Sequence, residues 1–413
     1  MNRKVELLVP AGSLEVLKIA IMFGADAVYI GGEEFSLRAK AANFSDEDMI
    51  AGIDFAHKFG KKVYVTVNIF AHNYDMDEAV DYLKRLNEIK PDGLIMSDPG
   101  LISLAFEYAP NVEVHISTQA NNTNYMTYKF WYKMGVKRVV SARELSLEEI
   151  KGIRENIPED MEIESFIHGA MCISYSGRCL LSNYFTGRDA NRGECTHPCR
   201  WQYAVMEEQR PGEYLPVYEN ERGTYIFNSK DLCMIGHIPE MIDAGIDSFK
   251  IEGRMKTSLY VATVARTYRK AIDDYYKSID TYKANMDWYM DEISKCTYRK
   301  FTTGFYFGKP NEETQIYDSN TYISEYIYLG FVEEIKNGKY RITQRNKFLI
   351  GDEIEIMKPG GENVIAKVIN IEDEEGNVVP AASHAKQTLY ITLSEKADEY
   401  DIFRVHNKDV KKP

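Results

Sequence analysis

The sequence predicts an α/β protein: a (β/α)8 TIM-like barrel with a cysteine-rich insertion after its seventh strand, followed by a small antiparallel β-barrel. Three observations carry the prediction. Short apolar runs alternate with segments of helical spacing, glycines stand where helices end and strands begin, and near Tyr322 the pattern switches to short strands separated by turns.

Taken in order, VELLVPAG (5–12), DAVYIGG (26–32), KKVYVTVN (61–68), DGLIMSD (92–98), VEVHISTQ (112–119), VKRVVSA (136–142), MEIESFIHG (161–169) and DSFKIEG (247–253) read as parallel strands buried on both faces. Between them Met76, Val80, Leu83 and Leu86 fall at i, i+4, i+7 and i+10, the spacing of one helix face. Gly24, Gly60, Gly135 and Gly245 each follow a helical run and precede a strand, where only glycine takes the left-handed helix-stop conformation without a Cβ clash. Eight such units suggest closure into a barrel, with a doubly wound open sheet as the alternative. The step from the seventh strand to the eighth is much the longest and holds an insertion over 170–233. In a barrel that insertion lies on the C-terminal face, where βα loops build active sites.

The barrel is therefore expected over 1–280, a helical, Tyr-rich connection over 281–321 and the second domain over 322–413. In that last part YIYLGFVEEI, KYRITQR, DEIEIM, VIAKVINI, LYITLS and DIFRV alternate with NGK, KPGGEN and EEGN turns. It reads either as a packing module or as a substrate-binding one.

A chain of 413 residues is long enough for both domains. No run approaches the length of apolar sequence needed to span a membrane, and MNRKVELLVPAG lacks the apolar stretch of a secretion signal, so a cytoplasmic location is expected. The net charge of −13 argues against broad, non-specific binding to nucleic acid. From Tyr322 onward 13 basic side chains meet 16 acidic ones, so the tail is no polybasic module either. The sequence contains no H-E-x-x-H, G-x-S-x-G, G-x-x-x-x-G-K-[ST] or G-x-G-x-x-G, which disfavours zincins, α/β-hydrolases and P-loop enzymes.

Four of the six cysteines cluster within the insertion, Cys172, Cys179, Cys195 and Cys199, spaced C-x6-C-x15-C-x3-C, and Cys233 closes it. In a reducing compartment such a cluster reads as metal ligation before disulfides. Four thiolates suit tetrahedral zinc or an iron–sulfur cluster, and spacing alone does not choose. His197, between two of them, reads as a group supporting the site rather than a ligand. Asn68, Asp98, Gln119, Arg143, Glu144, His168, Glu252 and Arg254 stand at the predicted C-terminal ends of strands, where polar side chains converge on the barrel mouth. Arg143, Arg178 and Arg254 suit bidentate binding of carboxylate or phosphate, with Asn68 and Gln119 as further substrate contacts. Arg254 and Lys256 in KIEGRMKTS also precede a helix N-terminus, a favourable place for an anion. His168, Glu144 and Glu252 are the candidates for acid–base work.

The stretch ESFIHGAMCISYSGRCLLSNYFTGRDANRGECTHPCRW, with ELLVPAG, GADAVYIGG, NSKDL and KIEGR, resembles the peptidase U32 family over roughly residues 1–310. The tail resembles a C-terminal β-barrel found on a subset of that family. Within it the chain is most similar to the branch that supports prephenate-dependent 5-hydroxylation of wobble uridine in tRNA. Related members support oxygen-independent hydroxylation of a quinone precursor and carry a 4Fe-4S cluster on four cysteines. The resemblance thus implies a 4Fe-4S cluster rather than zinc. Cys179 and Cys195 match ligands used in both related proteins, Cys172 matches one and Cys199 the other, with Cys233, after NSKDL, as the alternative to Cys199.

What the resemblance implies as partners is a tRNA, prephenate or a small carboxylate derived from it, and an electron donor. An unstacked wobble uridine can enter a pocket and stack on an aromatic ring, for which Tyr175, Tyr184 and Trp201 flank the cysteines. The family's older label, collagenase-like protease, gives the rival reading of a peptidase. That would need a nucleophile with its base, or a metal with an open position, and no recognisable arrangement of either kind is present. A non-catalytic partner in a hydroxylase complex is the third reading.

Overall fold

Residues 4–36, 43–172, 179–188, 190, 195–200, 230–308 and 323–407 are described by a computed structural model, together with short strand pairs at 205–206, 214–215, 219–220 and 223–224. Eight parallel strands form where the apolar runs lie: β1 (Glu6–Pro10), β2 (Ala27–Gly31), β3 (Lys62–Val67), β4 (Gly93–Met96), β5 (Glu113–Ile116), β6 (Arg138–Val140), β7 (Glu162–Gly169) and β8 (Ser248–Ile251). Each pairs with the next, and β8 pairs with both β7 and β1, so the sheet closes into a barrel and the open-sheet alternative falls away.

Helices α1 (Leu14–Met22), α2 (Asp46–Lys58), α3 (Met76–Ile89), α4 (Pro99–Tyr108), α5 (Tyr125–Lys133) and α6 (Leu147–Arg154) follow the first six strands. Polar caps start most of them: Ser13, Ser45, Asp98 and Asn124 accept from the first-turn backbone, and Ser146 forms a capping box with Glu149. Gly60, after α2, sits at φ +65°, the left-handed stop that the sequence requires there. Strands and helices share one apolar core, built from residues such as Leu7, Val28, Val63, Leu94, Ile163 and Phe249.

The inner face of the barrel is different. Its wall is lined by an apolar set of Leu8, Ala27, Tyr29, Tyr64 and Ile95. At the N-terminal end of the strands an ionic network joins Arg138 to Glu6 (2.5 Å), Glu162 (2.6 Å) and Glu164 (3.2 Å). Glu6 also accepts from Tyr64 and Ser248.

The insertion holds helix α7 (Leu181–Thr186) and returns to the barrel through a short strand, Asp231–Cys233. That strand was not foreseen. It runs antiparallel to the end of β7, with Leu232 opposite Gly169 and Cys233 opposite His168. Helix α8 (Ile238–Asp243) then leads to β8, and α9 (Ser258–Lys277), α10 (Ile279–Ala284) and α11 (Met286–Ile293) follow it. Among the described residues no helix is long and apolar enough to cross a membrane.

The C-terminal part is an antiparallel sheet of β9 (Tyr326–Phe331), β10 (Glu334–Lys336), β11 (Lys339–Thr343), β12 (Glu353–Met357), β13 (Val364–Glu372), β14 (Thr388–Leu393) and β15 (Ile402–His406), in the order β9-β15-β12-β13-β14-β11-β10. The run YIYLGFVEEI, expected as one strand, is two. Gly330 takes φ +152° at an irregularity in the β9–β15 pairing, and the Val332 N–H turns to the Asp401 carbonyl, so the chain leaves one ladder before joining the next. Leu329, Ile342, Ile356, Val368, Ile391 and Phe403 give this sheet its own core. It docks on the barrel through Tyr328, Met357 and Ile402 and through a buried ion cluster, in which Glu292 accepts from Arg266 (2.5 Å) and Arg404 (2.8 Å).

Candidate functional site

The C-terminal ends of the strands open into a cleft at the barrel mouth. Asn68, Gln119, Arg143, Glu252 and Arg254 line it, as do all four clustered cysteines and His197. Its floor comes from the strands themselves: Tyr29 of β2, Ile95 of β4, Phe166 of β7 and Lys250 of β8.

Glycines in the recurring motifs permit this geometry. A Cβ on Gly12 would stand 2.3 Å from the Arg254 carbonyl oxygen, and one on Gly31 would stand 2.1 Å from the Arg254 guanidinium. Gly169, at φ +114°, lets the chain leave β7 against the Glu252 carbonyl, which a Cβ would meet at 2.8 Å. The PAG, IGG and IHG motifs are thus close-approach sites around one arginine and one glutamate.

Arg254 donates from Nη1 to Ser36 Oγ (2.6 Å) and Thr66 Oγ1 (2.8 Å). It therefore turns into the barrel mouth instead of towards the N-terminus of α9. That terminus is capped by Thr257, and Lys256 rests over the Tyr260 ring at 4.8 Å. Arg143 bonds Glu252 (3.1 Å) and the Ala170 carbonyl (2.9 Å) and lies 4.1 Å above the Phe166 ring. Its Nε and the Gln119 Oε1 are buried and have no hydrogen-bond partner among the described residues. Both atoms suit a ligand or water that offers an acceptor to one and a donor to the other.

Cys172 is exposed, while Cys179, Cys195 and Cys199 are half-buried. Ser182 of α7, wholly buried, shares a hydrogen bond with Thr196 Oγ1 and accepts from the Thr196 N–H, both at 3.1 Å. This ties the arm carrying Cys179 to the arm carrying Cys195. Four thiols facing one cleft match in number and softness what an iron–sulfur cluster takes. Among the described residues no group of three histidine, cysteine or acidic side chains is placed to hold a metal ion. Arg178, Tyr175 and Trp201 lie outside the described residues. Tyr184 is 81% exposed, with its ring packed edge-on against Phe185.

Four of the expected residues stand elsewhere, the first being Asp98, which caps α4. His168 is buried on the helix-facing side of β7, ringed by Tyr260, Tyr268 and Phe301. Burial, with a further push from the charge of Lys256, lowers its pKa to about 3, so it is neutral near pH 7. Cys233 packs in the same core beneath the Tyr268 hydroxyl, and burial raises its thiol to about 11. Neither residue lines the cleft. Glu144, half-buried in the loop after β6, does not line it either, although burial raises its carboxyl above the usual range.

Sequence reading passed over Lys250 and Glu164. Their signal was the presence of charge inside apolar strands, Lys250 in SFKI and Glu164 in EIESFIHG, where both faces are otherwise covered.

Residues 12–316 match the model of peptidase family U32, and residues 324–404 match that of the peptidase family U32 C-terminal domain. The chain is 45% identical over 398 residues to tRNA hydroxylation protein P1 of Bacillus subtilis, covering 96% of this chain and 93% of that one. It is 40% identical over 433 aligned positions to tRNA hydroxylation protein P of Escherichia coli, covering 95% and 94%. Over 272 residues it is 38% identical to the 23S rRNA 5-hydroxycytidine C2501 synthase of Escherichia coli, covering 66% of this chain and 40% of that one.

Proposed function

Because the chain belongs to peptidase family U32, we propose that it is an iron–sulfur tRNA-modification protein that supports 5-hydroxylation of the wobble uridine with prephenate or a derived carboxylate as co-substrate. The observation that carries this reading is one cleft lined by four thiols and by Arg143, Arg254 and Lys250. The names of the relatives supply the RNA substrate and the hydroxylation. The cleft supports the reading by bringing four soft donors and three cationic side chains to one lining.

Cys172, Cys179, Cys195 and Cys199 hold a 4Fe-4S cluster in this reading. Bound there, it supplies electron transfer, or Lewis acidity towards a substrate oxygen. Arg143 and Arg254 take carboxylate oxygens of the small acid; Phe166 and Tyr29 form the apolar floor against which its ring lies. The unstacked uridine enters from the mouth, and the exposed Tyr184 of α7 is the aromatic candidate to stack on it. Glu252 remains as the acid–base candidate that lines the cleft, its carboxylate oriented by Arg143.

The test is mass spectrometry of nucleosides from the tRNA of a strain lacking this gene, with the gene returned on a plasmid. Loss of 5-hydroxyuridine-derived nucleosides, restored by the wild-type gene but not by one carrying Cys179→Ala and Cys195→Ala, is expected. Unchanged nucleosides in the deletion strain, once any paralogue is also removed, would sink the reading.

A further inference from the structure

Lys250 and Glu164 face each other inside the barrel at the floor of the cleft, 4% and 0% exposed. A charge so deep is costly unless paired, and the pair is close: Nζ to Glu164 Oε1 is 2.6 Å. The other oxygen of Glu164 accepts from Arg138 at 3.2 Å. The carboxylate is therefore occupied on both sides, and the ammonium is not. Of the three donors on Nζ, Glu164 takes one, and among the described residues it is the sole hydrogen-bond acceptor. The faces of Tyr29 and Phe166 lie 4.5 and 5.6 Å from Nζ, favourable for a cation but leaving N–H groups for an acceptor in the cleft, which Lys250 lines.

We propose that Lys250 is a substrate-binding residue whose ammonium takes a carboxylate oxygen of a small organic acid at the cleft floor. This rests on the reading above, that such an acid binds here, and adds the residue that anchors its deepest end. The charged donors left with hydrogen-bonding capacity at the floor, Lys250 Nζ and Arg143 Nε, both suit an acceptor. A neutral pyrimidine gains much less than a carboxylate from a buried ammonium. Glu164 is then the structural counter-ion, which holds the lysine in the barrel before ligand arrives.

A purely structural role for Lys250 would make affinity follow thermal stability across the variants, whereas the ligand role separates the two. Prephenate binding to the full-length chain is measured by titration calorimetry for the wild type, Lys250→Met, Glu164→Gln and the double variant, with thermal unfolding recorded for each. Lys250→Met is expected to weaken binding about 10- to 100-fold, the loss of a charged hydrogen bond. The double variant, which leaves no carboxylate short of its lysine, is expected to lose as much and guards against misfolding of the single one. Glu164→Gln keeps an amide oxygen that can still hold Nζ, and is expected to weaken binding less than about tenfold, well short of the loss in Lys250→Met. Wild-type affinity in Lys250→Met and the double variant, or a loss in Glu164→Gln equal to that in Lys250→Met, overturns the proposal and leaves the carboxylate reading standing. Absence of prephenate binding by the wild type overturns both.

Discussion

Arg143 and Glu252 meet across the cleft wall, Nη2 to Oε2 at 3.1 Å, while Nη1 of the same arginine holds the Ala170 carbonyl at 2.9 Å. One side chain thereby joins the loops after β6, β7 and β8, and Ala170 is where the cysteine-bearing insertion begins. Arg143→Ala is expected to reduce 5-hydroxyuridine formation at least tenfold, judged by tRNA nucleoside analysis, at a stability cost of about 1–3 kcal/mol. Arg143→Lys keeps the charge but loses the fork, and is expected to rescue stability more than activity. Equal activity for the Arg143→Ala variant and the wild type would remove the arginine from the site.

Iron content should separate the thiols under the proposed cluster reading. Cys172→Ser, Cys179→Ser, Cys195→Ser and Cys199→Ser are each expected to lower the iron and the visible absorbance of anaerobically purified protein. Cys233→Ser is expected to keep both, since that thiol lies in the core under Tyr268. Retention of iron in Cys199→Ser together with its loss in Cys233→Ser would reassign the fourth ligand.

Acid stability should report the barrel network. Burial opposes ionisation of Glu6, but the charge of Arg138 and hydrogen bonds from Arg138, Tyr64 and Ser248 outweigh it and hold the pKa at about 2, against an ordinary 4.5. A depressed folded pKa gives stability that is present above the unfolded value and lost as pH falls through the folded one. Glu6 should therefore contribute about 3 kcal/mol above pH ~5 and progressively less towards pH ~2. Denaturant unfolding of wild type and Glu6→Gln across that window should show the difference shrinking on acidification. A difference independent of pH would argue against the ionic role.

Docking of the two domains should depend on Arg404 and Glu292, both fully buried. Glu292→Gln leaves Arg404 and Arg266 short of their shared carboxylate, and is expected to cost about 3–5 kcal/mol. A calorimetric scan checks it, and faster proteolysis between residues 294 and 326 is expected if the domains part. An unchanged scan would mean that the apolar contacts of Tyr328, Met357 and Ile402 suffice.

The histidine expected at the mouth shows where strand parity misleads. Glu164 and Phe166 face into the barrel, so simple alternation would put His168 there too. The pairing of β7 with β8 instead shifts register: Lys250 pairs with Phe166, but Ile251 pairs with His168, skipping Ile167. This irregularity turns His168 outward against Tyr268 and Tyr260, and no sequence pattern marks it. Lys250 is the converse. It sits in register with Phe166 inside the barrel, and although it opens the KIEGR stretch, nothing in that pattern shows which side of the strand it faces.

The sequence by itself determined the eight-strand barrel, the place of the insertion and the clustering of four cysteines within it. Apolar runs buried on both faces, glycine helix stops and a dense set of soft donors are local properties that need no partner to be read. Tertiary structure alone decided which polar residues share the cleft. Strand closure brings Asn68, Gln119, Arg143, Glu252 and Arg254 together with the four cysteines, while one register shift removes His168 and one antiparallel strand takes Cys233 into the core. Those choices depend on pairings between residues far apart in the chain, and so on free energies that no single segment holds.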